Sequence, residues 1–169
     1  MTNGTQITIT EAAYSERSIL EDLMQNYLHT FAEFEELALD EAGRYEYQYL
    51  DLYWQDDNRH PFLTRVNNKI AGFILVNQQT FMEEADICIG EFFVVPNYRR
   101  RYIGKKMAFY IFDKFAGCWE IRQTSQNTAA QSFWQSVIHE YTDSEFQDYP
   151  RGAKGWTGPI QTFNSRKSI

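Results

Sequence analysis

Residues 91–112 read EFFVVPNYRRRYIGKKMAFYIF, and this stretch decides the fold. A hydrophobic run ends at Pro96, a short basic loop follows, and an amphipathic helix begins near Ile103. Five of the sixteen lysines and arginines fall within residues 99–106: Arg99, Arg100, Arg101, Lys105 and Lys106. Cations at a helix start oppose the helix dipole. Their concentration there points to an anion that offsets the cost. The first turn of a helix offers N–H groups without internal partners, and a phosphate gains from both these groups and the dipole. Gly104, with no Cβ, is expected to let the backbone approach such a phosphate closely. The competing reading of the charge run is a solvated basic loop.

The pattern extends in both directions. Helical spacing of Ile103, Met107, Tyr110, Ile111 and Phe115 predicts a helix over 101–115, and Ala130, Phe133, Trp134 and Val137 predict another over 128–138. Strands are expected at 5–10, 61–66, 70–76, within 84–95, at 119–123 and at 161–163. Asn67-Asn68-Lys69 reads as a hairpin turn, since asparagine tolerates positive φ. A helix is expected over 14–27 and a short one over FAEFEEL, 31–37, whereas YEYQYLDLYW, 45–54, resists assignment. Strands and helices in this order predict an α/β fold, a single domain with a mixed sheet.

Composition narrows the function classes. The 169 residues are 43% hydrophobic and 23% charged, as in an ordinary globular domain, and two cysteines exclude a disulfide scaffold. No apolar run approaches the ~18 residues of a membrane span. The N-terminus has no basic start followed by an apolar block, so a cytoplasmic setting is expected and the Asn3-Gly4-Thr5 sequon reads as chance. The net charge of −7 divides into −12 over residues 1–98 and +5 over residues 99–169. That acidity disfavours nucleic acid as a partner but leaves a local anion site in the second half. His29, His60 and His139 are isolated, so no metal is expected, and neither GxSxG nor a P-loop is present.

Phe92-Phe93-Val94-Val95-Pro96-Asn97-Tyr98-Arg99-Arg100-Arg101-Tyr102-Ile103-Gly104 resembles the acetyl-CoA-binding motif L-x-V-x-P-x-Y-R-G-x-G-I-G of the GNAT superfamily of N-acetyltransferases. The phosphate-loop core Q/R-x-x-G-x-G/A of that family falls on Arg99, Tyr102 and Gly104. Its second signature, N-x-x-A-x-x-F-Y, falls on Asn127, Ala130, Phe133 and Trp134. The resemblance spans residues 86–138. It implies a single GNAT-like domain whose mostly antiparallel central sheet is flanked by helices, and acetyl transfer from acetyl-CoA to a primary amine, with no metal.

Several residue roles follow from the same resemblance. The main chain of Phe92, Phe93 and Val94 would bind the pantetheine arm, and a backbone N–H near Val94 would stabilise the oxyanion. The loop from Arg99 through Arg100, Arg101, Tyr102, Ile103 and Gly104 to Lys105 would hold the pyrophosphate. Asn127, on the next strand, would lie near the pantetheine arm or the phosphate. Glu91 is the candidate base; the other position used in the family falls on Cys88. Two departures stand out. Tyr102 replaces a glycine, and tyrosine disfavours positive φ. Trp134 replaces the tyrosine that protonates the thiolate, and an indole N–H is no useful acid. The acidic residues Glu33, Glu35, Glu36, Asp40, Glu41, Asp51, Asp56 and Asp57 suggest a cationic amine acceptor. A homodimer is left open. The alternative is a non-catalytic module on the same fold that senses acyl-CoA or binds a protein.

Overall fold

The chain runs β1 (Ile7–Glu11), α1 (Arg17–Phe31), β2 (His60–Val66), β3 (Lys69–Asn77), β4 (Ile87–Val94), α2 (Ile103–Lys114), β5 (Cys118–Arg122), α3 (Thr128–Thr142), β6 (Gln147–Tyr149) and β7 (Ile160–Asn164) in the computed structural model. The structure describes residues 4–165, so Asn3 of the sequon lies outside the described residues. The strands form one sheet in the order β1-β2-β3-β4-β5-β7-β6. Every neighbouring pair is antiparallel except β4–β5. This is the expected α/β architecture, a mixed and mostly antiparallel sheet flanked by helices.

Each face of the sheet buries its own core. On one face, Ile103, Met107, Ile111 and Phe112 of α2 and Trp134, Val137 and Ile138 of α3 cover Ile74, Val76, Ile87, Ile89 and Trp119. On the other, Leu20, Leu23, Met24 and Leu28 of α1 cover Leu63, Phe73, Leu75 and Phe93. β3 lies between two paired strands, which is why Ala71–Asn77 is buried throughout instead of alternating. The β2–β3 hairpin turns on Asn67 (φ 49°) and Asn68 (φ 66°), the positive angles that asparagine was expected to accept.

The stretch 31–54 departs from expectation. No helix forms over FAEFEEL: α1 ends at Phe31, residues 32–34 form a turn and Glu35 a bend. The chain is then held by polar side chains instead of by periodic apolar contacts. Asp40 accepts from the N–H groups of Ala42 (2.8 Å) and Arg44 (2.9 Å), and the Gln25 amide on α1 bonds both the N–H and the carbonyl of Tyr45 (2.9 and 2.8 Å). Such clamps leave no hydrophobic period to read. Leu50–Trp54 closes the segment as a 3₁₀ turn, burying Leu50 and Tyr53. The short β6 was also not expected.

Candidate active site

β4 and β5 pair only at Ile87–Trp119 and Cys88–Glu120, then diverge. From Ile89 onward β4 keeps β3 on one side, and its other edge opens onto a wedge. A bulge sits where the wedge opens: Leu75 faces Glu91 and Val76 faces Ile89, which leaves Gly90 as the extra residue. The bulge reverses the side-chain alternation. Ile87, Ile89, Phe92 and Val94 pack toward α2 and α3, while Glu91 turns to the α1 side. A Cβ on Gly90 would lie 2.5 Å from Asn77 Nδ2 and 2.9 Å from the Tyr53 hydroxyl, two groups bonded to each other at 2.8 Å. A side chain there would have to part that pair.

Burial raises the Glu91 carboxyl to about 7, although the Tyr27 and Tyr47 phenols and the Arg122 charge favour its ionised form. The two phenols respond in kind. Burial first, then the Glu91 charge, pushes both well above their ordinary range. Cys88 is also buried, which holds its thiol at about 11. It bonds the Asn77 side chain at 3.1 Å and remains a protonated thiol at neutral pH. Of the two positions the sequence offered for a base, only Glu91 titrates near neutrality.

The basic loop is built on unusual backbone. Arg100 and Tyr102 both stand at φ 59°. Tyr102 therefore does adopt the left-handed conformation that its side chain was expected to disfavour, at a cost of about 1–2 kcal/mol. Left-handed residues spaced this way turn successive N–H groups toward one concavity, a shape suited to anions. Lys106 is the first residue to bond back into α2, to the Tyr102 carbonyl at 3.0 Å, so the amides of the first turn have no acceptor within the helix. Gly104 also serves the packing of the helices. A Cβ there would lie 3.1 Å from the Phe133 ring, so the glycine lets α2 pack against α3.

The side chains of the loop diverge. Arg99 Nε donates to the Val94 carbonyl at 2.8 Å, and its guanidinium lies over the Phe93 ring. Lys105 Nζ bonds Glu140 at 3.0 Å and lies 5.1 Å from the centre of the Tyr102 ring. Ile103 is buried in the core, so only its main chain is available to a ligand. Asn127 is not on a strand: it caps α3, accepting from the Ala130 N–H at 3.0 Å.

Two cavities meet along the wedge. One of about 880 Å³ follows the β4 edge past Phe92, Phe93 and Val94 to Arg99, Arg100, Tyr102, Gly104 and Lys105. Arg101 and Ile103 do not border it. The other, about 290 Å³, lies at the bulge against Gly90, Glu91, Arg122 and Trp156. Tyr27, Phe31, Phe92, Asn127, Ala130 and Trp134 border both. In the smaller cavity Gln123 and Thr124 form part of the wall, and Gln123 Oε1 and Thr124 Oγ1 are buried without a partner. A third cavity of about 920 Å³, at the N-terminal end of β5, touches none of the candidate coenzyme residues.

Sequence reasoning missed Tyr27, Tyr47, Arg122 and Trp156. Arg122 bonds the fully buried Glu120 at 3.1 Å, and its guanidinium lies against the rings of Phe81 (4.7 Å) and Trp156 (5.5 Å), which themselves meet edge to face. The density of tyrosines in 45–53 was the one available signal for Tyr47. Of the acidic residues singled out, Glu33 borders the long cavity, while Asp51 pairs with Arg17, and Asp56 pairs with Arg59 at 3.4 Å. Among the described residues no cluster of acidic, histidine or cysteine side chains could hold a metal ion, and no helix is long and apolar enough to cross a membrane.

Residues 20–138 match the family model described as Acetyltransferase (GNAT) family. No curated protein sequence matches the chain. Among solved structures, an acetyltransferase from Thermus thermophilus is similar with a TM-score of 0.66 at 13% identity, over 94% of this chain and 97% of that one. Diaminobutyrate acetyltransferase from Paenibacillus lautus, in complex with its substrate and coenzyme A, is similar with a TM-score of 0.62 at 16% identity, over 98% and 99%. Spermidine N-acetyltransferase from Vibrio cholerae, in complex with CoA and spermine, is similar with a TM-score of 0.60 at 12% identity, over 95% and 96%. At these identities the likeness shows the fold.

Proposed function

Since the chain belongs to the GNAT acetyltransferase family, we propose that it moves the acetyl group of acetyl-CoA onto a primary amine by direct attack, with Glu91 as the base. The observation that carries the reading is the bulge. It turns a carboxyl that titrates near neutrality into a cavity continuous with a groove that ends at an anion-shaped loop.

The residues fit the coenzyme along its length. The open edge at Phe92, Phe93 and Val94 accepts an amide-bearing arm as an added strand would be accepted. Arg99 already bonds the Val94 carbonyl, so it braces the strand end, and the arm uses other main-chain groups. Asn127, which borders both cavities, lies beside the course of the arm. The main-chain N–H groups of Tyr102 and Gly104, with the Arg100 guanidinium, hold the pyrophosphate. Lys105 adds its charge on release from Glu140.

For the chemistry, an alkyl ammonium of pKa about 10.4 must lose a proton before it can attack. The attacking nitrogen then sheds a second proton as the amide forms, and a base poised near the working pH takes it best. Glu91 meets that condition because burial opposes its charge. Main-chain N–H near Val94 would stabilise the oxyanion. The spermidine and diaminobutyrate enzymes bear on the acceptor class only by analogy. With the exposed acids of 33–57 they support an amine-bearing, cationic acceptor, and the reading implies a cytoplasmic setting. A module that binds without turnover has no use for a titrating carboxyl at the bulge, which favours catalysis.

Thiol release from acetyl-CoA across a panel of polyamines, diamino acids, aminoglycosides and lysine peptides tests the proposal. Release with at least one cationic amine is expected; release with none of them would overturn it. Arg100→Ala should weaken acetyl-CoA binding by about 1.5–3 kcal/mol, the worth of a charge-assisted hydrogen bond, as read by calorimetry. Unchanged affinity would remove the loop from the phosphate site.

A further inference from the structure

We propose that the Tyr27 hydroxyl gives the departing coenzyme thiolate its proton and is refilled by Glu91. The inference rests on the acetyl-transfer reading above. Breaking the thioester C–S bond leaves a thiolate whose conjugate acid has a pKa of about 8.5. The slot around it is lined by Phe31, Phe92 and Trp134, which solvate an anion poorly. Trp134 offers an indole N–H, a donor that does not give up its proton. Three ionisable groups border the cavity at the bulge: Tyr27, Glu91 and Arg122. Arg122 is held by Glu120 at 3.1 Å. Of the three, Tyr27 alone also borders the long groove where the coenzyme arm runs. Its ring is fixed by Phe31, Phe73 and Phe93 at 5.6, 5.9 and 6.1 Å between centroids, and its hydroxyl faces Glu91.

The protons balance. The neutral amine nitrogen adds to the acetyl carbon, and the Glu91 carboxylate takes the proton that this nitrogen sheds. The C–S bond breaks with its electron pair on sulfur, and sulfur takes the phenolic proton of Tyr27. The carboxyl proton of Glu91 then passes to the Tyr27 oxygen. Amine and acetyl-CoA have become amide and CoA thiol, and both side chains are as they began. A carboxyl that titrates near 7 is a stronger acid than the thiol, so the relay runs downhill. Tyr27 is too weak an acid to hold the charge itself; it conducts. Tyr47 and Arg122 also face Glu91, and Tyr47 also faces Tyr27.

Tyr27→Phe tests this, with two readouts. In binding, affinity for CoA and for desulfo-CoA is measured by calorimetry at pH about 9, where the free thiol is largely ionised. The variant should weaken CoA by about fivefold or more, the loss of a bond to a charged group, and leave desulfo-CoA unchanged. In turnover, the kcat plateau at high pH should fall by about 10²-fold or more, the usual worth of a positioned acid, with KM for acetyl-CoA held. Equal weakening of both ligands, or a shifted acid limb beneath an unchanged plateau, would mean that Tyr27 only positions Glu91, and would overturn the proposal. Should the variant not fold, 3-fluorotyrosine at position 27 preserves the packing. A change in its CoA to desulfo-CoA affinity ratio is expected, and no change overturns the proposal. A wild-type protein that neither binds CoA nor releases thiol with any amine would bring down the transfer reading as well. A fully active Tyr27→Phe beside an active wild type brings down only this one.

Discussion

Glu91 is held between opposed influences. Burial favours its neutral form, while two phenols and a guanidinium favour the charged one, and burial prevails. The consequence reaches folding. The native carboxyl keeps its proton to about pH 7, whereas the unfolded chain releases it near the ordinary value of 4.5. Between those pH values the native state binds more protons than the unfolded state, so stability falls as pH rises through the window. In Glu91→Gln that component vanishes. Thermal melts from pH 4.5 to 8 should show the wild type losing more stability across the range than the variant; parallel curves would mean that Glu91 is not strained by burial. The same substitution should remove the acid limb of turnover near pH 7, since no carboxylate remains to be protonated. Tyr102 shows the other residue-scale lesson. Sterics disfavour its φ on average, yet the bend between Pro96 and α2 imposes it.

At the scale of elements, the bulge in β4 organises the site. Gly90→Ala would force a methyl into the Asn77–Tyr53 pair, and overpacking of that kind costs about 1–3 kcal/mol. The denaturation midpoint should drop accordingly, and turnover should drop further because Glu91 is re-aimed; a variant matching wild type in both would show that the bulge does not depend on glycine. Nothing in ICIGEFFV announces this bulge. It exists only in the register with β3, where Leu75 and Val76 skip one residue, and register is a property of two strands. By contrast the β4–loop–α2 unit was legible, because its signals are local: an apolar strand, a proline, a basic run and helical spacing. The 31–54 segment was not legible, because its shape comes from the side chains of Gln25 and Asp40 and not from any period. Tyr47 and Tyr27 therefore reach Glu91 from two elements whose meeting the sequence does not show.

At the scale of the molecule, a ligand that binds only the folded state adds to stability. At one hundred times its dissociation constant acetyl-CoA should contribute about 2.7 kcal/mol. For a chain of this size that is a rise of about 5–10 °C in Tm. Differential scanning fluorimetry reads it directly, and a flat response would remove acetyl-CoA as a ligand.

The wedge also makes the sheet two leaves. β1–β4 on one side and β5, β7 and β6 on the other are stitched by two residue pairs. Two such leaves can breathe against each other, with the stitch as their spine. A molecule laid between them acts as a shim, so residues 89–94 and 121–124 should be the amides whose deuterium uptake slows most on loading, well ahead of the already laced β2 and β3.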